Sequence, residues 1–142
     1  MKSLIRKKLS SNDLGLTGGH QAGILVPKEP QVLGFFPSLD KSEKNPRIEL
    51  TLHEREASTT WKFNFIYYNN KFFGGTRNEY RLTCMTQFLR ASNAKVGDDL
   101  LFSLNEDHSY EVAIVRAKDE SKLIRNDGVL VLSGGWKIVK TR

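Results

Sequence analysis

Residues 59–68 read TTWKFNFIYY. In an extended chain Trp61, Phe63, Phe65 and Tyr67 fall on one side, and Lys62 and Asn64 on the other. That period of two specifies a strand. Upstream, Ile48, Leu50 and Leu52 alternate with polar partners and predict a second strand with one buried face. Downstream, Asn69-Asn70 signals a turn, 71–78 (KFFGGTRN) is a glycine-containing loop, and 79–84 is extended. Residues 85–91 suit a short helix, with Thr86 as its cap and Phe88 and Leu89 inward. Residues 100–104 and 110–116 form a hairpin around 105–109. Asn126-Asp127-Gly128 marks a tight turn before a strand at 129–132, and Gly134-Gly135 leads into a last strand at 136–139.

Toward the N-terminus, 3–9 reads as a strand and 10–22 (SSNDLGLTGGHQA) as a long polar loop with three glycines. Residues 23–26 are a short apolar run. Pro27, Glu29 and Pro30 open a short helix through Val32 and Phe36, which Pro37 stops, and 38–46 is a polar linker. No β-α-β rhythm occurs, so a parallel sheet is not expected. The fold class is mainly β: a closed or nearly closed barrel of about seven strands with two short helices, because closure removes free edges.

Length and composition set the frame. The 142 residues are 39% apolar, 10% aromatic and 27% charged. That suits one domain, 1–142, with a single core, and not a disordered chain. No apolar run approaches the roughly 18 residues of a membrane span, and residues 1–9 lack the apolar stretch and cleavage site of a secretory signal. A lone cysteine, Cys84, makes no internal disulfide, and it is expected to be small and buried. A cytoplasmic setting, with no membrane partner, fits.

The net charge of +6 is unevenly spread. Residues 1–28 hold five basic and one acidic side chain, and residues 61–95 hold six and one. The remaining segments are net acidic. Two concentrated basic stretches point to a polyanion partner.

The sharpest local feature lies in the second basic stretch: Arg77-Asn78-Glu79-Tyr80-Arg81. In a strand Arg77, Glu79 and Arg81 share a face, with charges plus, minus, plus. Arginine matches the O6 and N7 of guanine, and a carboxylate accepts from the N4 amino group of cytosine. A phosphate binder would have no use for Glu79. The competing interpretation is an exposed strand face with ion pairs, and the recognition reading requires that the three side chains are not paired off internally. The loop 10–23 carries Asn12, Asp13, His20 and Gln21 among glycines, residue types that read base edges. A floppy surface loop is its alternative. Lys7, Lys8 and Lys71 border both segments as candidates for phosphate contacts.

Enzyme signatures are sparse. His20, His53 and His108 lie far apart, and neither a nucleophile elbow nor a phosphate loop occurs. Asp107 with Glu120 and Lys122 formally matches the carboxylate pattern of magnesium nucleases, but Glu120 falls at a strand exit. A small magnesium-dependent nuclease is therefore one alternative. A second is a single-stranded nucleic-acid module stacking bases on Trp61, Phe63, Tyr67 and Tyr68. Their alternation favours core packing instead.

Two stretches, 9–28 (LSSNDLGLTGGHQAGILVPK) and 67–83 (YYNNKFFGGTRNEYRLT), closely resemble the N-terminal DNA-binding domain of EcoRII-type restriction endonucleases. The shared signatures are S-x-N-D-x-G-x-T-G-G-H-Q-x-G and Y-Y-N-x-x-x-F-G-x-T-R-N-E-x-R-x-T. The resemblance implies a pseudobarrel shared with plant B-three transcription factors, with two arms that grip the major groove. It implies recognition of CC(A/T)GG in double-stranded DNA by an effector domain of a type IIE enzyme, monomeric when isolated. The nuclease centre and its Mg2+ would belong to a separate C-terminal domain, so no catalytic residue, metal or cofactor is expected here. His20, Arg77, Glu79 and Arg81 match positions that contact bases or line the cleft, and Asn78, between them, is counted with the base-recognition residues. Gly75 departs from the pattern: a basic residue stands there in a member of the family, so one contact is expected to be missing.

Overall fold

A computed structural model describes residues 3–15, 23–117, 129–131 and 133–139. Nine strands form one sheet: β1 (Ser3–Lys8), β2 (Ile24–Val26), β3 (Arg47–Glu54), β4 (Thr59–Tyr68), β5 (Glu79–Thr83), β6 (Asp99–Leu104), β7 (Tyr110–Val115), β8 (Val129–Val131) and β9 (Trp136–Val139). Two short helices are α1 (Pro30–Leu33) and α2 (Thr86–Ala91). The strand order is β2-β5-β4-β3-β7-β6-β1-β9-β8, antiparallel except where β3 runs parallel to β7. The count exceeds the expected number of about seven: each stretch read as extended is a strand, and the short apolar run at 23–26 adds β2 at one end of the order.

The sheet curls around one core. Trp61, Phe63, Phe65 and Tyr67 all face it, as the period of two in β4 requires. Phe36, just past α1, sits among them: its ring stacks on Phe65 at 4.9 Å and meets Phe35, Phe102 and Trp136 edge-on. Phe88 and Leu89 close another part of the core from α2. β1 and β2 are consecutive in sequence but far apart in strand order, on either side of the seam of the curled sheet. Trp136, fully buried in β9, donates its indole N–H to the Leu25 carbonyl of β2 at 3.0 Å and stitches that seam.

Some expectations need correction. In β3 the buried face begins at Leu50, and Ile48 is exposed. Thr86 is the first residue of α2; Met85 occupies the cap position and makes no side-chain capping bond. Cys84 is exposed, because the chain leaves β5 through a left-handed residue (φ 65°) that throws the thiol outward, where Asn64 Nδ2 approaches the sulfur at 3.5 Å. The turn expected at 126–128 lies outside the described residues. Among the described residues no helix is long and apolar enough to cross a membrane.

Candidate nucleic-acid interface

The exposed face of β5 follows from its alternation. Tyr80 and Leu82 are buried, so Glu79 and Arg81 emerge on the other side. Arg77 precedes them, and the row foreseen in the sequence is present. Its charges are not independent. Arg77 binds Glu79 Oε1 through Nε at 3.0 Å and Nη2 at 2.7 Å, and Arg81 Nη2 reaches Glu79 Oε2 at 3.1 Å. Two-residue spacing on one face places the carboxylate between the two guanidiniums. This is the competing arrangement, a strand face with ion pairs, and the condition set for the recognition reading is not met: in the unbound chain the row is one internally paired unit. The side chains remain part-exposed, at 37%, 28% and 18% for Arg77, Glu79 and Arg81.

Further contacts fix the row from both ends. The Arg77 guanidinium carbon lies 3.7 Å above the centre of the Tyr68 ring. Arg81 Nη1 donates to the Gly23 carbonyl at 3.2 Å. Burial alone would raise the Glu79 carboxyl, but hydrogen bonds from Arg77 and Arg81, with their positive charges, outweigh it and hold the group below the ordinary carboxylate value. Asn78 is occupied, accepting from the Tyr67 hydroxyl at 2.6 Å, and Tyr67 stacks on Tyr80 at 4.1 Å.

The segment between β4 and β5 is an arm held by two asparagines. Asn69 is 1% exposed. Its side-chain oxygen accepts the Asn45 N–H at 2.7 Å, and its amide nitrogen donates to the carbonyls of Glu43 at 2.8 Å and Lys41 at 3.4 Å. Asn70 Oδ1 accepts the Arg77 N–H at 2.7 Å, and its carbonyl accepts that of Gly75 at 2.7 Å. The Lys71 N–H donates to the Arg77 carbonyl at 2.9 Å, so the stem of the arm pairs on itself. A Cβ at Gly75 would fall 2.8 Å from Asn70 Cγ. The missing basic residue therefore goes with a loop wound too tightly around Asn70 to admit one. The sequence showed Asn69-Asn70 as a local turn; their role as anchors, and that of Tyr68 as a platform, were missed. Lys71 is exposed beside them.

The first arm is described in part. Asp13 and Lys7 are corrected from DNA contacts to a buried clip: Lys7 Nζ binds Asp13 Oδ2 at 2.9 Å and the Lys8 carbonyl at 2.7 Å, and Asp13 Oδ2 also accepts the Ser10 N–H. Both side chains are 8% exposed. A carboxylate so enclosed presents nothing to a cytosine. Asn12 and Lys8 stay on the surface. His20 and Gln21 lie outside the described residues. The far foot of this arm meets the second: Gly23 adopts φ +83°, and a Cβ there would fall 2.0 Å from the Leu82 carbonyl oxygen. β2 then pairs with β5, placing Leu25 opposite Arg81. The two arms thus share one root.

The alternatives fare differently. Phe63 and Tyr67 are buried and Trp61 packs on the core, so they offer no platform for unstacked bases. Asp107 caps the β6–β7 turn, accepting the Ser109 N–H and hydroxyl, which lower its pKa. Glu120 and Lys122 lie outside the described residues. Among the described residues no three His, Cys, Asp or Glu side chains gather as metal ligands.

Residues 2–110 match the family model described as restriction endonuclease EcoRII, N-terminal. The chain belongs to this family. It is 44% identical over 79 residues to the type II restriction enzyme EcoRII of Escherichia coli, a match covering 54% of the chain and 19% of that enzyme. The chain therefore spans about a fifth of this curated relative. Among solved structures, the B3 domain of UbaLAI restriction endonuclease with cognate DNA superposes with a TM-score of 0.64 at 20% identity, covering 97% of this chain and 86% of that one. The Arabidopsis FUS3–DNA complex gives 0.60 at 18% identity, covering 79% and 95%. This EcoRII N-terminal chain thus has the B-three pseudobarrel fold.

Proposed function

We propose that this domain binds double-stranded DNA in a sequence-specific manner, with its two arms entering the major groove, as the effector or target-recognition part of a type II restriction endonuclease. The observation that carries the reading is the match of residues 2–110 to the EcoRII N-terminal family, with the Arg77–Glu79–Arg81 row on a part-exposed face at the shared root of the two arms. To read bases the three side chains must exchange their mutual pairs for base edges, and part-exposed ion pairs are weak enough for that exchange to cost little. The DNA bound by both structural neighbours supports the same reading.

The finer statement is CC(A/T)GG as the site, with Arg77 and Arg81 facing guanines and Glu79 a cytosine. Lys8 and Lys71 face phosphates, and Asn12, His20 and Gln21 act from the first arm. The 142 residues bind without cleaving, need no cofactor, and act beside a C-terminal nuclease domain that uses Mg2+. Selection from random duplexes tests the reading: enrichment of one site supports it, and no enrichment refutes it. On the selected site Arg81→Ala is expected to lose about 1–3 kcal/mol and to relax discrimination at one G·C pair. Lys8→Ala should weaken all sequences about equally. An Arg81→Ala variant with unchanged preference removes Arg81 from the readers. Plasmid incubated with Mg2+ should stay intact.

A further inference from the structure

Phe72 and Phe73 serve neither the core nor the ionic row. They are 65% and 44% exposed, at the tip of the second arm. Large apolar side chains in water are unfavourable, yet the loop that carries them is firmly built: Asn69 and Asn70 anchor it, and Gly74 turns it at φ +90°. The rings are therefore displayed rather than left loose. The stem directly below them joins Lys71 to Arg77. Residues 57–78 contain no acidic side chain. An apolar tip on a cationic stem suits a partner that is anionic outside and offers an apolar feature within reach. Duplex DNA is such a partner. Its major groove, about 12 Å wide, admits a two-stranded ribbon, and the thymine 5-methyl is its apolar feature. Two rings of about 150–250 Å² each fall well short of the roughly 800 Å² per side of a stable protein interface.

We propose that the Phe72–Phe73 tip is an apolar base-reading element that packs against a thymine methyl next to the pairs faced by Arg77. The inference rests on the duplex-binding reading and adds an A·T preference that charged residues do not supply. The test uses a duplex carrying CCAGG paired with CCTGG, in which the single thymine of the site, and then each thymine of the flanks in turn, is replaced by deoxyuridine. At one thymine, loss of the methyl should weaken the unaltered protein about fourfold, the worth of one buried methyl. In Phe72→Ala/Phe73→Ala the parent duplex should bind about tenfold more weakly, and deoxyuridine at that position should change nothing further. Phe72→Leu/Phe73→Leu should restore part of the methyl response. Both positions are exposed, so the variants should melt as the parent does. Equal affinity of the alanine variant and the parent overturns the inference, as does a loss that is the same with thymine and deoxyuridine at every position. If the unaltered protein prefers no duplex at all, the proposed function fails instead.

Discussion

Asn69 accepts from Asn45 and donates to the Lys41 and Glu43 carbonyls, so one buried amide ties the second arm to the linker before β3. Replacing it with alanine removes the partner of the part-buried Asn45 N–H and of two carbonyls on surface residues. Each lost hydrogen bond costs about 0.5–1.5 kcal/mol net. Asn69→Ala should therefore lose about 2–4 kcal/mol in urea unfolding, and duplex affinity should fall with it as the arm loosens. Little of this was visible in the sequence. An Asn-Asn pair after a strand has the pattern of a local turn, and its partners lie 24 to 28 residues away. Cys84 was misread for a related reason. Residue type favours burial, but a left-handed backbone at one position decides which way the thiol points. Lys7 and Asp13 have the composition of groove contacts, and only their burial reveals a clip.

β5 was far more legible, because a strand with one buried face leaves no choice for its other face. Once Tyr80 and Leu82 face inward, Glu79 and Arg81 must face out. What alternation does not convey is that the row closes on itself. Glu79 separates stability from recognition. Its carboxyl is held below the ordinary value, so its ionic contribution to stability is present at neutral pH and is lost as pH falls through the depressed native value. Titration of its carboxyl by NMR should show a midpoint below that of an unperturbed glutamate, and Arg81→Ala should shift that midpoint upward. Near neutral pH, Glu79→Gln removes a part-exposed pair and should cost less than about 1 kcal/mol in unfolding. On the proposed reading, in which Glu79 accepts from a cytosine, the same change should cost about 1–3 kcal/mol of discrimination at one base pair. Equal losses in both measurements would mean that Glu79 serves only to hold the arginines.

At the scale of the molecule, the curled sheet brings the two basic stretches together at one root, where β2 pairs with β5. The charge windows located both stretches from the sequence. The seam itself was hidden, since the Trp136–Leu25 bond joins residues 111 positions apart. The structure also reduces the charge available to a polyanion. Lys7 is spent on Asp13, and Arg6 is buried with its Nε 2.9 Å from Asp99. From the sequence, five to seven neutralised phosphates give a slope of about −5 to −6 for log K against log salt. Without those two cations roughly three to five phosphates remain, and the slope should be about −3 to −4.5. Titrations of the selected duplex at several salt concentrations measure it directly. Lys7→Ala should leave the slope unchanged while destabilising the fold, because its ammonium faces Asp13. Lys8→Ala and Lys71→Ala should each reduce the slope by about one. A Lys7→Ala variant that lowers the slope by one, with stability intact, would return Lys7 to the binding surface and open the clip at the base of the first arm.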